Sequence, residues 1–67
     1  MGREVGTVRW FDAVRGYGFI ARDGVVDVFV HGGGVEPGGV LRAGERVSFE
    51  VVEGAKGLQA TAVRRAG

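Results

Sequence analysis

Short apolar runs alternate with glycine-rich breaks along the whole chain, and none of these runs shows a helical period. Apolar runs of strand length between glycine and aspartate signals are typical of β-structure. The clearest case is in residues 46–53, where Val47, Phe49 and Val51 alternate with the polar residues Ser48 and Glu50. We therefore predict five strands, at residues 5–12, 16–22, 25–31, 46–53 and 58–64.

The connections between these strands differ in length. Asp23-Gly24 is typical of the tight turn of a hairpin, whereas residues 32–44 are rich in glycine, contain Pro37 and form a long connection. Three strands and then two predict an all-β fold, a five-stranded antiparallel Greek-key barrel of the OB type, because closure leaves no exposed strand edge. An SH3-like or Sm-like barrel has nearly the same spacing, and the pattern does not choose between them.

The length and composition of the chain limit what it can build. Sixty-seven residues are enough for one domain with one modest core, which we expect to span residues 1–67. The absence of cysteine excludes disulfides and thiolate metal sites. We find no signal-peptide pattern and no apolar stretch long enough to span a bilayer, so we expect a cytoplasmic protein without a membrane partner, and a monomer.

Aromatic residues recur at alternate positions of the second and third predicted strands. Residues two apart in a strand share a face, so Tyr17 and Phe19 lie together, and Phe29 lies with His31. Their opposite faces carry aliphatic residues suited to a core, so we assign these four side chains to the outer surface. Burial of the aromatic rings in the core is the alternative, and the matching arrangement of two adjacent strands argues against it.

Two glycines flank Tyr17 in the second strand. An exposed aromatic surface can stack on the flat bases of a nucleic acid, and we interpret Gly16 and Gly18 as small neighbours that let such a base approach the aromatic side chains closely. A phosphate-binding glycine loop is rejected because no helix start follows and the rest of such a motif is absent.

Trp10 and Phe11 are adjacent and cannot both face the same side of a regular strand. Because Val8 belongs inside, strict alternation predicts that Trp10 points inward and that Arg9 shares the face of Phe11. Only a bulge or a position at the barrel margin would expose Trp10.

The charge of the chain is nearly balanced, with nine lysines or arginines against eight acids and a net charge of +1. A non-specific binder of duplex DNA would be much more basic. The positive charge is nevertheless concentrated near both ends of the chain, and we predict that Arg9, Arg15 and Lys56 contact phosphates beside the aromatic residues. A solvated surface role is the alternative for each.

The residue types needed for catalysis or metal binding are missing. His31 is the only histidine, no cysteine accompanies it, and no serine lies in a nucleophile context. We therefore expect no enzyme activity, no metal, no cofactor and no small-molecule substrate.

Taken together, the motifs of the chain resemble those of the bacterial cold-shock protein family over residues 5–63. The matching segments are Arg9-Trp10-Phe11, Arg15-Gly16-Tyr17-Gly18-Phe19-Ile20, Asp27-Val28-Phe29-Val30-His31 and Glu53-Gly54-Ala55-Lys56-Gly57. RNA-recognition-motif domains share part of the second segment but need two helices that this sequence does not signal.

The resemblance implies an OB-type barrel that binds single-stranded RNA and single-stranded DNA with little sequence preference. It further implies an RNA chaperone that melts secondary structure and affects transcription or translation. The binding roles carry over to Arg9, Trp10, Phe11, Arg15, Tyr17, Phe19, Phe29, His31 and Lys56.

Three positions depart from the family pattern. Gly32 follows the histidine where an aromatic residue is usual, Val40 stands where another aromatic is common, and Asp12 replaces the usual asparagine. We therefore expect a smaller stacking surface and weaker binding than the family norm. The alternative function is an OB-type barrel that binds the ribosome or a protein, like the small OB-type translation initiation factor, and a preference for unpaired oligonucleotides would discriminate.

Overall fold

A computed structural model describes residues 3–36, 39–55 and 57–66 of the chain. Its elements are β1 (Glu4–Asp12), β2 (Tyr17–Arg22), β3 (Val25–His31), a single 3₁₀ turn (Gly32–Gly34), β4 (Arg46–Gly54) and β5 (Gly57–Arg65). All five predicted strands are therefore confirmed, with ends that differ by at most one residue, and the 3₁₀ turn was not predicted. Across these ranges, none of the helical structure is long and apolar enough to span a membrane.

The five strands close into a barrel in the order β1-β2-β3-β5-β4. The pairs β1–β2, β2–β3, β1–β4 and β4–β5 are antiparallel. The pair that closes the barrel, β3–β5, is parallel and joins Phe29 to Gln59 and Val30 to Ala60. The prediction of an all-β, five-stranded barrel is confirmed. The observed barrel differs from the predicted antiparallel one in this parallel pair of strands.

The barrel interior is aliphatic apart from one aromatic ring. Phe49 is fully buried, and burial of a side chain of this size stabilises the fold by roughly 1.5–3 kcal/mol. Strand alternation accounts for the other core residues within the strands, whereas Val35 and Leu41 lie between the 3₁₀ turn and β4. The core residues are Val8, Ile20, Val28, Val30, Val35, Leu41, Val47, Phe49, Ala60 and Val63.

A bulge in β1 changes which of its residues face outward. The register with β2 passes from Val8 opposite Ile20 directly to Trp10 opposite Phe19, so Arg9 is the extra residue. Strict alternation was therefore wrong for Trp10, whose side chain is 41% exposed. Arg9 is exposed as predicted, but alternation was also wrong for Phe11, which is half-buried, packs against the core and does not share the outer face of Arg9.

Glycine is required on each side of Tyr17 for a different structural reason. Gly18 is buried, and a Cβ at this position would overlap the carbonyl oxygen of Trp10 and the Cα of Phe11. Gly16 lies in the loop before β2 with φ +80°, a left-handed conformation that favours glycine. The interpretation of Gly18 as a ligand approach position is corrected, because close packing of β1 on β2 requires it.

Candidate nucleic-acid interface

Four aromatic rings form a continuous surface on the outside of β1, β2 and β3. The centroid of Trp10 lies 5.7 Å from that of Tyr17 and 5.5 Å from that of Phe19. Phe29 completes the group, 5.9 Å from Tyr17 and 5.8 Å from Phe19. We call Trp10, Tyr17, Phe19 and Phe29 the aromatic face. Aromatic pairs at such distances contribute about 0.5–1.5 kcal/mol each, so the rings are ordered before any ligand arrives.

The register of the strands explains why these rings point away from the core. Phe19 lies opposite Phe29 across β2 and β3, and the neighbouring pair Ile20 and Val28 is fully buried. Tyr17, Phe19 and Phe29 are half-buried by one another and are not part of the core cluster. The predicted outer position of the aromatic residues is confirmed, and Trp10 joins them because of the bulge.

An open depression of about 520 Å³ lies over three rings of the aromatic face, those of Tyr17, Phe19 and Phe29. Three of its lining residues were missed from the sequence: Val26, Asp27 and Leu58. Asp27 could have been found, because it is two residues before Phe29 and therefore shares its face. Leu58 had no local signal, since only the parallel pairing of β5 with β3 brings it there.

Arg9 is bound to one wall of this depression. Its Nε donates to Oδ2 of Asp27 at 2.6 Å, and its Nη2 lies 3.4 Å from Oδ1. The side chain of Arg9 is 58% exposed, and such surface ion pairs are worth about 0–1 kcal/mol. A phosphate group can therefore compete with Asp27 for the guanidinium at little cost.

Arg15 lies at the opposite edge, in the loop between β1 and β2. Hydrogen bonding to the Tyr17 side chain is the main cause that raises the pKa of Arg15, with smaller contributions from the charges of Tyr17 and Asp12. Oδ1 of Asp12 accepts the backbone N–H groups of Val14 and Arg15, both at 3.0 Å. The Asp12 carboxylate therefore stabilises the loop that carries Arg15.

His31 ends the aromatic face, opposite Tyr17 in the β2–β3 register. Its imidazole is exposed, and Nδ1 accepts the backbone N–H of Gly33 at 3.2 Å. The next residue, Gly32, donates its N–H to the carbonyl of Gly16 at 2.7 Å and does not have a positive φ. The histidine thus lies where β3 joins the glycine turn.

The remaining predicted binding residues are placed differently. Phe11 lies opposite the buried Gly18 and contacts the core, so only part of its ring is available to a ligand. Val40, the other departure from the family pattern, is 50% exposed. Lys56 falls outside the described residues.

The titratable side chains do not group into a metal site. Within residues 3–36, 39–55 and 57–66, no three histidine, cysteine, aspartate or glutamate side chains lie close enough to share an ion. The side chains that surround the depression are aromatic or aliphatic apart from Asp27.

Comparison with known proteins identifies this combination of barrel and surface. Residues 4–66 match the family model of the "'Cold-shock' DNA-binding domain". The cold shock protein CspC of Bacillus subtilis is 48% identical over 94% of this chain and 98% of its own length. The major cold shock protein of Micrococcus luteus is 50% identical over 91% of this chain and 96% of its own.

A solved structure, Drosophila Unr CSD456, shares the fold with a TM-score of 0.80 at 24% identity. It covers 98% of this chain, which corresponds to 27% of the Unr chain. Since the family model spans almost all the described residues and relatives of the same length share about half of the sequence, the chain belongs to the cold-shock family of nucleic-acid-binding domains.

Proposed function

We propose that the protein binds single-stranded RNA and DNA through the aromatic face, with little sequence preference, and that it acts as an RNA chaperone. Membership of a nucleic-acid-binding family supports the ligand class. The observation that carries the proposal is the unbroken contact of four rings on the outside of a barrel whose interior is filled by other residues.

The chemistry of the surface favours tolerance of sequence. Every base has a π-face, so stacking on an aromatic ring contributes about 1–3 kcal/mol per base whatever the base is. Discrimination between bases needs polar groups that meet base edges, and Asp27 is the only charged residue that lines the described depression.

Geometry also favours unpaired strands. In a duplex the faces of the bases are stacked on each other, whereas an unpaired strand can turn them toward protein rings. A protein that binds only the unpaired state shifts the pairing equilibrium by mass action. Melting of RNA secondary structure is therefore the expected consequence of binding, without any need for an energy source.

Trp10 provides the direct test of single-strand binding, because it is the only tryptophan and belongs to the aromatic face. Titration with an unpaired oligonucleotide should quench its fluorescence, and the same sequence as a duplex should not. Phe19→Ala should weaken the quenching titration, whereas Val5→Ala, at an exposed position of β1 outside the aromatic face, should not. Binding of a folded RNA or of ribosomes without affinity for unpaired strands would instead support the alternative function.

The chaperone activity needs a separate measurement. An RNA hairpin with a fluorophore and a quencher at its ends should open as protein is added, at concentrations that match the single-strand affinity. Phe19→Ala should raise the concentration required. Tight binding to the unpaired loop with no opening of the stem would overturn this part of the proposal.

A further inference from the structure

The ring of His31 is held by a backbone group, and this contact defines what the ring can offer. We propose that the N–H of Gly33 positions the His31 imidazole and fixes its proton on Nε2, so that the ring presents a hydrogen-bond donor to an acceptor oxygen of the bound strand. The ligand half of this proposal rests on the proposed function.

The direction of the hydrogen bond determines the tautomer. Nδ1 of His31 accepts the N–H of Gly33 at 3.2 Å, so Nδ1 must carry a lone pair. A neutral imidazole has one donor and one acceptor nitrogen, and its single proton then lies on Nε2. Nε2, the other ring nitrogen of this exposed residue, is thereby a donor.

The turn that provides the Gly33 amide is itself anchored to the barrel. The N–H of Gly32 donates to the carbonyl of Gly16 at 2.7 Å, and the N–H of Val35 closes the turn on the carbonyl of Gly32 at 3.1 Å. Val35 is buried and forms a bridge to Val63 in β5. These contacts fix the conformation of Gly32–Gly34, and the hydrogen bond from Gly33 then orients the imidazole ring.

A nucleic-acid strand offers acceptors to such a donor, since phosphate oxygens and base carbonyl oxygens both accept hydrogen bonds. A ring that already has the correct tautomer and direction loses less freedom when the strand binds. Gly33 therefore acts as a positioning residue for His31 through its backbone N–H.

Nuclear magnetic resonance of the free protein tests the tautomer directly. His31 is the only histidine, so the ¹⁵N signals of one imidazole are observed without ambiguity. At about pH 8.5, where histidine is ordinarily neutral, we expect an unprotonated Nδ1 and a protonated Nε2. A wild-type ring protonated on Nδ1, or an even mixture of tautomers, overturns the proposal without any variant.

A pair of substitutions tests the role of the amide. Gly33→Pro removes the N–H, whereas Gly33→Ala keeps it, and an added Cβ would make only ordinary contact with Nδ1 at 3.4 Å. We expect Gly33→Ala to keep the wild-type tautomer and Gly33→Pro to lose it. Relative to Gly33→Ala, Gly33→Pro should weaken single-strand binding about fivefold, the effect of one ordinary hydrogen bond.

Two outcomes of this pair contradict the proposal. An unchanged tautomer in Gly33→Pro would show that the amide does not hold the ring, and equal affinities of the two variants would show that the ring orientation does not serve binding. Failure of the proposed function is distinct, because wild-type protein would then bind no unpaired strand while the tautomer stayed as expected. An oligonucleotide with abasic positions distinguishes the two kinds of acceptor. The fivefold difference in affinity between Gly33→Ala and Gly33→Pro should persist if a phosphate oxygen accepts the hydrogen bond from His31. It should disappear if a base carbonyl oxygen accepts it.

Discussion

At the scale of single residues, Ala62 has an unusual backbone conformation. Among the described residues it alone combines a side chain with a positive φ, 52°. It lies where the β4–β5 register shifts, and its carbonyl accepts a hydrogen bond from Arg3, which also donates to the carbonyl of Ser48 at 2.8 Å. Arg3 thus stabilises a bulge whose left-handed residue costs about 1–2 kcal/mol when it is not glycine.

Ala62→Gly should therefore stabilise the protein. Relief of the left-handed strain outweighs the greater freedom of glycine in the unfolded chain, and we expect a gain of about 0.5–1 kcal/mol in the free energy of unfolding. Urea denaturation measures it. Ala21→Gly, at a strand position of β2 with a negative φ, is the matched control and should lose a similar amount. Equal destabilisation by both substitutions would contradict the strain at Ala62.

Gly32 is the residue where the chain lacks the aromatic side chain that its family usually has after the histidine. Gly32→Phe should tighten single-strand binding, because an additional stack is worth about 1–3 kcal/mol. A positive φ does not oppose the substitution, but a Cβ would lie 3.3 Å from the carbonyl oxygens of Gly16 and Gly39.

Gly32→Ala separates this crowding from the contribution of the ring. Both variants carry the same Cβ, so both should show the same loss of melting temperature, and only Gly32→Phe should bind more tightly than Gly32→Ala. If the two variants bind alike and both remain folded, the strand does not pass this end of the aromatic face.

At the scale of strands, the two faces of the sheet have different consequences when a ring is removed. Phe29→Ala should weaken binding by about 1–3 kcal/mol, because Phe29 lies on the aromatic face and is only half-buried. Phe49→Ala should cost about 3–5 kcal/mol of stability, because Phe49 fills the core. Tryptophan fluorescence titration and urea denaturation of both variants check this. A larger loss of stability in Phe29→Ala would invert the assignment of the faces.

The Glu45 carboxylate helps to hold residues 40–45, which lead into β4. Oε1 of Glu45 accepts the N–H of Arg42 at 2.9 Å, and Oε2 accepts Nε of Arg65 at 2.6 Å. Arg65 also donates to the carbonyl of Val40 at 2.7 Å. The pKa of Glu45 is lowered, first by the Arg42 hydrogen bond and then by that of Arg65. The ion pair between Glu45 and Arg65 needs the ionised carboxylate.

The stability from Glu45 should therefore depend on pH. A carboxyl group whose folded pKa lies below its unfolded value of about 4.3 stabilises the protein fully above that pH. The contribution is lost as the pH falls through the folded pKa. Glu45→Gln should lower the free energy of unfolding at pH 7 by about 1 kcal/mol or less, because the ion pair with Arg65 is partly exposed to solvent. Urea denaturation measures the difference, which should vanish in strong acid. Glu53→Gln, which replaces an exposed carboxylate on β4, is the control and should change the free energy of unfolding little at either pH.

The strands and their faces could be predicted from sequence because they follow from local rules. Alternation alone placed Phe29 and His31 outside and Val28 and Val30 inside. It failed at Trp10, since a bulge is decided by how β1 twists against β2 and leaves no mark in the pattern of apolar residues.

Other features of the site depend on contacts between distant segments. The pairing of Arg9 with Asp27 needs both the bulge and the approach of β3, and Leu58 reaches the depression only through the parallel β3–β5 pair. The capping of the 3₁₀ turn (Gly32–Gly34) by His31 could not be predicted either, because a run of glycines does not favour one backbone conformation.

At the scale of the whole molecule, six of the nine lysines and arginines lie near an acidic side chain in the described ranges. Arg3 lies near Glu50, Arg22 near Glu4, Arg64 near Glu36 and Arg65 near Glu45. Within the part of the chain that the structure describes, the arginines beside the aromatic face are Arg9 and Arg15, and each of these also lies near an acid, Asp27 and Asp12 respectively. Affinity should therefore come chiefly from stacking, with a minor contribution from phosphate contacts.

The dependence of binding on salt should be correspondingly shallow. Single strands give a slope of about −0.7 in log K against log salt for each phosphate contact, so two or three contacts predict a slope of about −1.4 to −2. Arg15→Gln, which removes a side chain that is 72% exposed, should reduce the slope by about 0.7. Arg64→Gln, a matched loss of one charge away from the aromatic face, should leave it unchanged. Titrations of Trp10 fluorescence at several salt concentrations measure all three proteins. Equal slopes for the two variants would show that the strand does not pass Arg15, whereas a much steeper wild-type slope would show that binding is mainly electrostatic and that the aromatic face is not its principal source.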